Sequence, residues 1–511
     1  MIPRLILPLA ACAVCLVPAI AAQQPAAAHD SSAKTPAATV PKEDSSVTDH
    51  AIRIGGALVS YRARAATMLL TDDKDEPIGA LYYTAYTRSD AKDLSRRPIA
   101  FVYNGGPGSS SAWLHMGAFG PRRVVTTDAG PTPPPPYQVV DNANSLLDVA
   151  DLVFIDPIGT GFSKPAGKGA GKDFWGVDED ARSLEQFITK YVNRYGRWNS
   201  PKYLLGESYG TTRSAVLVNR LQQREGMDFN GVVLISSVLD FETLLFAAGH
   251  DLSYVLYLPS YAATAVYQQA VPKPPDLKGF LEEVRRYAAG PYAAALARGN
   301  ALPADERNAV AKQLAAYTGL SQDYLLKANL RVTLGQFRAE LQRAQGKATG
   351  RLDARFTGPM IDLLAENAPG DPQSEAVTGA YTSAINSYLR DELKYGGDRR
   401  YAVSGDVEWK WERENQRGWA QATYVGSDLA RALTNNVNLR VEIENGLYDL
   451  ATPFMATEYT VSHLDVPAAV RDHVSEKYYE AGHMMYLYEP ALAELKANVA
   501  AFMSATAPGT K

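Results

Sequence analysis

The sequence predicts an α/β fold, with a mostly parallel central sheet and helices on both of its faces. Four short apolar runs, each ending in a turn rich in Gly, Pro or Asp, have the composition of buried strands: residues 99–103, 152–155, 203–205 and 231–235. Helix-type stretches, such as residues 178–195 and 211–223, separate them. Alternating strand, turn and helix is typical of a parallel sheet. Functional residues are then expected at the carboxyl ends of the strands.

The region before these strands predicts an antiparallel extension of the sheet. Residues 52–54, 58–70 and 78–86 alternate between apolar and polar positions, and the polar segment 72–75 forms a turn between the last two. Such runs are typical of a meander. Residues 49–240 are therefore assigned to the first part of the core.

The middle of the chain has a different pattern. Residues 241–420 show helix-type periodicity rich in Ala, Leu, Arg and Gln, with few strand-like runs. This pattern predicts an inserted helical cap. The strand pattern resumes at residues 438–443 and 477–479, so residues 421–511 are assigned to the second part of the core.

Composition excludes several classes of protein. With 46% hydrophobic and 21% charged residues, the 511-residue chain has ordinary globular values, which exclude a polytopic membrane protein and a chain disordered throughout. The 51 basic and 56 acidic residues give a net charge of −5. This balance argues against a nucleic-acid partner held by phosphate neutralisation.

The first 22 residues predict a secretory signal peptide. One positive charge at Arg4 precedes an apolar run over residues 5–20, and small residues end the segment, as cleavage by signal peptidase requires. We therefore expect a secreted or periplasmic protein without stable membrane insertion. The alternative is a lipoprotein, because the segment from Leu9 to Cys12 resembles a lipoprotein cleavage box and would be lipidated at Cys12.

Both cysteines, Cys12 and Cys15, lie in this leader. The mature chain then has no disulfide, no thiolate metal site and no cysteine nucleophile. Residues 23–48 are mostly Ala, Pro, Gln, Ser, Thr, Lys and Asp. Such a segment buries too little apolar surface to offset the entropy of ordering, so it predicts a disordered linker.

The segment Gly206-Glu207-Ser208-Tyr209-Gly210 has the pattern Gly-x-Ser-x-Gly. It lies between a short apolar strand and a helix-type stretch, which is the context that this motif requires for a nucleophilic serine. The glycines allow a sharp turn that exposes the serine hydroxyl at the end of the strand. Ser208 is therefore the predicted nucleophile, and a chance match in a Gly/Ser-rich turn is the alternative.

A serine nucleophile needs a base and an acid, which follow it in the chain in the order typical of this motif. Of the seven histidines, His483 alone lies in a Gly-His turn directly after an apolar strand. Asp449 follows the predicted strand 438–443, in a loop with an Asn-Gly pair before it and Pro453 after it, which marks a tight turn. Asp240, after the strand 231–235, is the alternative acid.

The reaction also needs donors for the developing oxyanion. A glycine-rich segment, Asn104-Gly105-Gly106-Pro107-Gly108, follows the strand 99–103 and lets a backbone N–H approach a substrate. The residue after the nucleophile supplies the second N–H. A phosphate-binding loop is disfavoured because no Gly-Lys-Ser/Thr sequence follows.

Four segments together resemble those of the serine carboxypeptidases, peptidase family S10, in order and approximate spacing. They are residues 103–110 (YNGGPGSS), 156–163 (DPIGTGFS), 206–210 (GESYG) and 481–484 (AGHM). The resemblance extends from about residue 50 to 505. It implies an α/β-hydrolase fold and removal of single residues from the carboxyl termini of peptide substrates, with no cofactor and no metal.

The resemblance also implies a role for individual residues. It assigns a catalytic triad to Ser208, Asp449 and His483, in agreement with the pattern of the chain. It assigns the oxyanion hole to the N–H groups of Gly106 and Tyr209. It further assigns binding of the substrate's terminal carboxylate to Asn104 and Glu207.

Three positions depart from the family pattern. Val102 stands where a Trp is usual, Ala118 where a carboxylate-binding Glu is usual, and Ser109 where a half-cystine is usual. The first two weaken the expected clamp on the terminal carboxylate. Three functions therefore remain open: a secreted serine carboxypeptidase, an esterase or acyltransferase on the same scaffold, and a non-catalytic binding protein.

Overall fold

The computed structural model describes residues 40–414 and 421–507. Its central sheet has nine strands along one path: β1 Ser45–Ile54, β2 Ala57–Thr71, β3 Pro77–Arg88, β4 Ile99–Tyr103, β5 Asp151–Ile155, β6 Lys202–Glu207, β7 Gly231–Ile235, β8 Arg440–Gly446 and β9 Val474–Tyr479. Their order is β1-β2-β3-β5-β4-β6-β7-β8-β9. A short strand, Lys164–Pro165, also pairs with β3.

Strand directions confirm the predicted fold class. Strands β1 to β3 form an antiparallel meander, and β3 pairs antiparallel with β5. Every pairing from β5 to β9 is parallel. With helices on both faces, this is an α/β-hydrolase fold.

The start of strand β1 differs from the prediction. Strand β1 begins at Ser45, which pairs with Ala66, so the linker predicted over residues 23–48 is too long at its end. The strand is stabilised by backbone hydrogen bonds to β2 and by contacts of Asp44 with Thr67, which composition does not reveal. The predicted signal peptide, Cys12, Cys15 and linker residues 23–39 lie outside the described residues.

Twelve α-helices of six residues or more accompany the sheet in the described part of the chain. They are α1 Val177–Arg194, α2 Tyr209–Glu225, α3 Leu252–Tyr267, α4 Leu277–Tyr287, α5 Ala293–Arg298, α6 Ala304–Thr318, α7 Gln322–Lys327, α8 Leu334–Glu340, α9 Pro372–Ser387, α10 Gly426–Asn435, α11 Phe454–Ser462 and α12 Glu489–Thr506. None of the described helices is both long and apolar enough to cross a membrane.

Side chains of each strand alternate between two apolar layers. In β4, Phe101 packs in the layer of α1, α2 and α10, whereas Val102 packs in the layer of α9 and α12. Because both faces are covered, strands β4 to β7 are buried along their whole length, as in other α/β proteins. The carboxyl ends of the parallel strands lie together at one edge of the sheet, which the two apolar layers do not cover.

Residues 241–420 contain helices α3 to α9. Helices α3 to α8 share a separate apolar cluster with residues 448–456. Helix α9 instead contributes Tyr381 and Ile385 to the layer against the sheet. A two-stranded hairpin, Lys347–Thr349 with Thr357–Pro359, lies between them. Part of the segment predicted as a cap thus covers the sheet itself.

Candidate active site

The register of the sheet brings the predicted site residues to one edge. Tyr103 at the end of β4 lies opposite Gly206 of β6, and Glu207 lies opposite Ile235 at the end of β7. Ile235 in turn lies opposite Glu444 of β8. The loops that leave β4, β6, β7 and β8 therefore begin side by side, as expected for functional loops of a parallel sheet.

Ser208 occupies a strained turn between β6 and α2. Its backbone has φ 58° and ψ −129°, outside the conformations that a serine ordinarily adopts. Strain of this kind costs about 1–3 kcal/mol and persists where the surroundings enforce it. Here the Ser208 N–H donates to Ile235 O at 2.9 Å, and its carbonyl accepts from Thr211 N at 2.8 Å. The side chain is half-buried, so a substrate can reach it.

The glycine-rich loop after β4 lies directly against this turn. A Cβ on Gly105 would meet the backbone nitrogens of Tyr209 and Gly210, the latter at 2.6 Å, so only glycine fits. The next residue, Gly106, is exposed and has φ 99°, a conformation that favours glycine. The Tyr209 N–H lies in the first turn of α2, where helix donors have no intrahelical partner.

Asp449 and His483 form a buried hydrogen-bonded pair. The distance from His483 Nδ1 to Asp449 Oδ2 is 2.7 Å. Burial lowers the pKa of His483, but the Asp449 carboxylate outweighs burial and leaves that pKa raised. Asp449 also accepts hydrogen bonds from the N–H groups of Ala451 and Thr452 and from Thr452 Oγ1, at 2.7, 2.9 and 2.7 Å. These donors fix the direction of the carboxylate.

Backbone contacts tie His483 to neighbouring loops. Its N–H donates to Leu352 O at 2.7 Å, and its carbonyl accepts from Ser236 Oγ at 2.7 Å, directly beyond the end of β7. The carbonyl of Arg351, the residue before Leu352, accepts a hydrogen bond from Leu450 N at 3.0 Å. The exposed Arg351 charge acts against protonation of the imidazole and so lowers the pKa of His483.

The other candidate acid, Asp240, and the other two histidines of the second part of the core have different hydrogen-bond partners. Asp240 Oδ1 accepts from Glu242 N at 2.9 Å as a helix cap. His463 contacts Tyr459, and His473 contacts Arg440. Among these candidates, the hydrogen bond between carboxylate and imidazole favours Asp449 as the acid and His483 as the base.

Asn104 and Glu207 lie buried beside the nucleophile. Asn104 Oδ1 accepts from Leu114 N at 3.0 Å, and the Asn104 carbonyl accepts from Arg213 at 2.6 Å. Burial raises the pKa of Glu207 to about 7, although the neighbouring His483, Tyr486 and Asn104 act to lower it. The Glu207 carboxyl can therefore hold a proton near neutrality.

The three positions that depart from the family pattern, Val102, Ala118 and Ser109, make other contacts in the structure. Val102 and Ala118 are fully buried in the apolar layer against the sheet. The Ala118 carbonyl accepts from Asn142 Nδ2 at 2.7 Å. Ser109 pairs instead with Ser404, in the segment that crosses the glycine-rich loop. Neither Val102 nor Ala118 offers a polar group to a ligand.

Three residues near the site were not predicted from the sequence. Thr452 supports Asp449, and its spacing of three residues after an aspartate is a turn signal that could have been used. Arg213 is buried, pairs with Asp180 and fixes the carbonyl of Asn104. Tyr486 follows His483 in a short 3₁₀ turn, Met485–Leu487. Its approach to Glu207 depends on tertiary packing and has no local signal.

A cavity of about 970 Å³ lies beside the acid and base loops. Its lining includes Tyr448, Glu480 and Arg355, and does not include Ser208. Arg355 is occupied by a buried ion pair with Asp353. The cavity therefore adjoins the loops that carry Asp449 and His483 without opening on the serine.

Comparison with known proteins gives a partial match. Residues 70–258 match a family model described as serine carboxypeptidase. The chain is 26% identical over 196 residues to the pheromone-processing carboxypeptidase KEX1 of Yarrowia lipolytica, covering 38% of this chain and 29% of that protein. It is 31% identical over 126 residues to KEX1 of Saccharomyces cerevisiae, covering 24% of this chain and 16% of that protein. The matches thus span less than a third of these relatives.

Solved structures align with the chain at low identity and low TM-score. A prohormone-processing carboxypeptidase from Saccharomyces cerevisiae aligns with TM-score 0.46 and 15% identity, covering 90% of this chain and 92% of that chain. A proline iminopeptidase from Mycobacterium smegmatis aligns with TM-score 0.36 and 15% identity, covering 91% and 100%.

Proposed function

We propose, from the membership of residues 70–258 in the serine carboxypeptidase family, peptidase family S10, that the protein is a secreted serine carboxypeptidase. It hydrolyses the carboxyl-terminal residue of a peptide through an acyl-serine intermediate. The observation that carries the proposal is the buried 2.7 Å hydrogen bond between His483 and Asp449. A histidine oriented in this way can act as a general base for a serine.

In the first half of the reaction, Ser208 Oγ attacks the carbonyl carbon of the last peptide bond. His483 Nε2 takes the hydroxyl proton, and Asp449 accepts the Nδ1–H and stabilises the imidazolium. The N–H groups of Gly106 and Tyr209 donate to the oxyanion. The tetrahedral intermediate collapses when the C–N bond breaks and His483 gives its proton to the leaving amine. The terminal amino acid then departs.

The second half repeats these steps with water. His483 takes a proton from water, which attacks the acyl-serine carbonyl, and the ester bond to Ser208 Oγ breaks with return of the proton. The shortened peptide leaves with a new carboxyl end. No step requires a group other than these side chains, the two N–H donors and water.

Recognition of the carboxyl end falls to Asn104 and Glu207. A protonated Glu207 can donate to a substrate carboxylate, whereas an ionised Glu207 repels it. The pKa of about 7 supports the protonated form under acidic and neutral conditions. This arrangement favours a free carboxyl end as substrate.

The second candidate function is an esterase or acyltransferase. It is favoured by the burial of Val102 and Ala118, which leaves the clamp without two groups usual in the family. The acyl-serine chemistry is the same, and an alcohol can replace water as the acceptor.

The proposal is tested by mass spectrometry of a mixed peptide pool after incubation with wild-type protein and with Ser208→Ala. We expect loss of single carboxyl-terminal residues with the wild type alone. Peptides with amidated ends and small esters are included in parallel. Cleavage of esters without cleavage of any free-acid peptide would instead favour the second function, and internal cleavage would contradict the first.

A further inference from the structure

Three polar atoms beside Ser208 are buried without a hydrogen-bond partner among the described residues: Asn104 Nδ2, Glu207 Oε2 and the Tyr486 hydroxyl. Their residues are only 1%, 4% and 2% exposed. A buried polar group left unpaired costs about 1–3 kcal/mol, and such groups are rare in folded proteins. Three of them in one place indicate a site that a ligand completes.

The three groups face one another. Tyr486 and Asn104 lie close enough to Glu207 to lower the pKa of its carboxyl, yet no pair of them has the geometry of a closed hydrogen bond. Each therefore retains hydrogen-bonding capacity for a bound molecule. Asn104 is oriented by Leu114 N on its Oδ1, which leaves the amide nitrogen as its free end.

The ring of Tyr486 packs closely against Gly117. A Cβ on Gly117 would meet the Tyr381 hydroxyl and the Tyr486 ring, the ring at 2.7 Å. Only a glycine at position 117 allows the ring to lie there. Position 117 is next to Ala118, where the family resemblance predicts an acidic side chain.

The chemistry of the three groups selects an anion. The Asn104 amide and the Tyr486 hydroxyl are donors, and burial keeps the pKa of Tyr486 well above its usual range, so its proton is retained. A protonated Glu207 supplies a third donor. A carboxylate has two oxygens with several lone pairs and can accept from all three.

We propose that the Tyr486 hydroxyl binds the terminal carboxylate of the peptide substrate, as a specificity-determining residue that replaces the acidic group absent at Ala118. This inference rests on the proposed function. It predicts that discrimination between a free carboxyl end and a blocked end depends on one phenolic oxygen.

The test is Tyr486→Phe, which removes that oxygen and keeps the ring. We expect kcat/KM for a free-acid peptide to fall about tenfold to a hundredfold, the range for loss of a hydrogen bond to a charged group. For the matching peptide amide and ester it should change less than about twofold. Tyr388→Phe is the matched control, because its buried hydroxyl already accepts a hydrogen bond from Tyr86 and its loss should leave this ratio unchanged.

A binding arm separates failure of this inference from failure of the proposed function. In the Ser208→Ala background, the Kd of the free-acid peptide and of its amide is measured by calorimetry, with and without Tyr486→Phe. Selective loss of free-acid binding supports the inference even where wild-type turnover is absent. Equal weakening of both ligands, or an unchanged Kd for the free acid, would overturn it.

Discussion

The buried carboxyl of Glu207 makes the stability of the fold depend on pH. Burial raises its pKa from the ordinary 4.5 to about 7. A difference of about 2.5 in pKa, at 1.36 kcal/mol each, corresponds to about 3 kcal/mol between the protonated and ionised states. The substitution Glu207→Gln keeps the shape and removes the ionisation, so it isolates this contribution.

The direction follows from where the proton is bound. Below about pH 4.5 the carboxyl is protonated in both the folded and unfolded chains, and Glu207 causes no loss of stability. Between about pH 4.5 and pH 7 the unfolded chain ionises while the folded chain keeps its proton, so the free energy of unfolding falls as pH rises. Above about pH 7 the loss is complete.

The assay is denaturant unfolding of wild type and Glu207→Gln at about pH 4 and about pH 8. The variant should gain about 3 kcal/mol relative to wild type between the two conditions. Other carboxyls with raised pKa values, such as Asp156 and Glu476, are common to both proteins and cancel in the difference. A stability difference between the two proteins that stays constant within about 0.5 kcal/mol would show that folding does not raise the pKa of Glu207.

Three further predictions follow from contacts around the serine. Asp449→Asn should lower kcat about 10⁴-fold, because the imidazole loses the partner that fixes its tautomer, whereas Asp240→Asn should retain turnover. If Asp240→Asn instead lost more turnover than Asp449→Asn in folded protein, Asp240 would be the acid. Arg351→Gln removes a charge that lowers the pKa of His483, so the acid limb of kcat/KM should move to higher pH, and a limb at lower or unchanged pH would be inconsistent with that effect. Gly105→Ala places a methyl group against the backbone of the nucleophile turn. Because this displaces the oxyanion donors, kcat/KM should fall at least about a hundredfold in protein whose circular dichroism is unchanged. Near-normal activity would show that the loop shifts to accommodate the methyl group.

The local signals of the sequence were sufficient for much of the fold and for the pairing of Asp449 with His483. Gly-x-Ser-x-Gly requires a strand before it and a helix after it, and both are present around Ser208 as β6 and α2. The pair of Asp449 and His483 was accessible because each follows a strand end in a turn with characteristic residues. Strands that are buried on both faces give short apolar runs, which is why β4 and β7 were predicted with their observed bounds.

What was missed depends on contacts between distant parts of the chain. Tyr486 is placed beside Glu207 by the ring's fit against Gly117, and no local pattern encodes that fit. Strand β1 starts earlier than predicted because pairing with β2, and not apolar composition, stabilises its first residues. Helix α9 has the periodicity of the neighbouring helices, yet it packs on the sheet, since periodicity defines an apolar face but not its partner.

We propose above that Ser208 is a nucleophile activated by His483 and Asp449. The most direct measurement is intact-mass and peptide-mapping spectrometry of the protein after acid quenching with a slowly hydrolysed ester. We expect one acyl group per chain, located on Ser208, and no acyl group in Ser208→Ala. An acyl group on another residue, or undiminished turnover by Ser208→Ala, would contradict it.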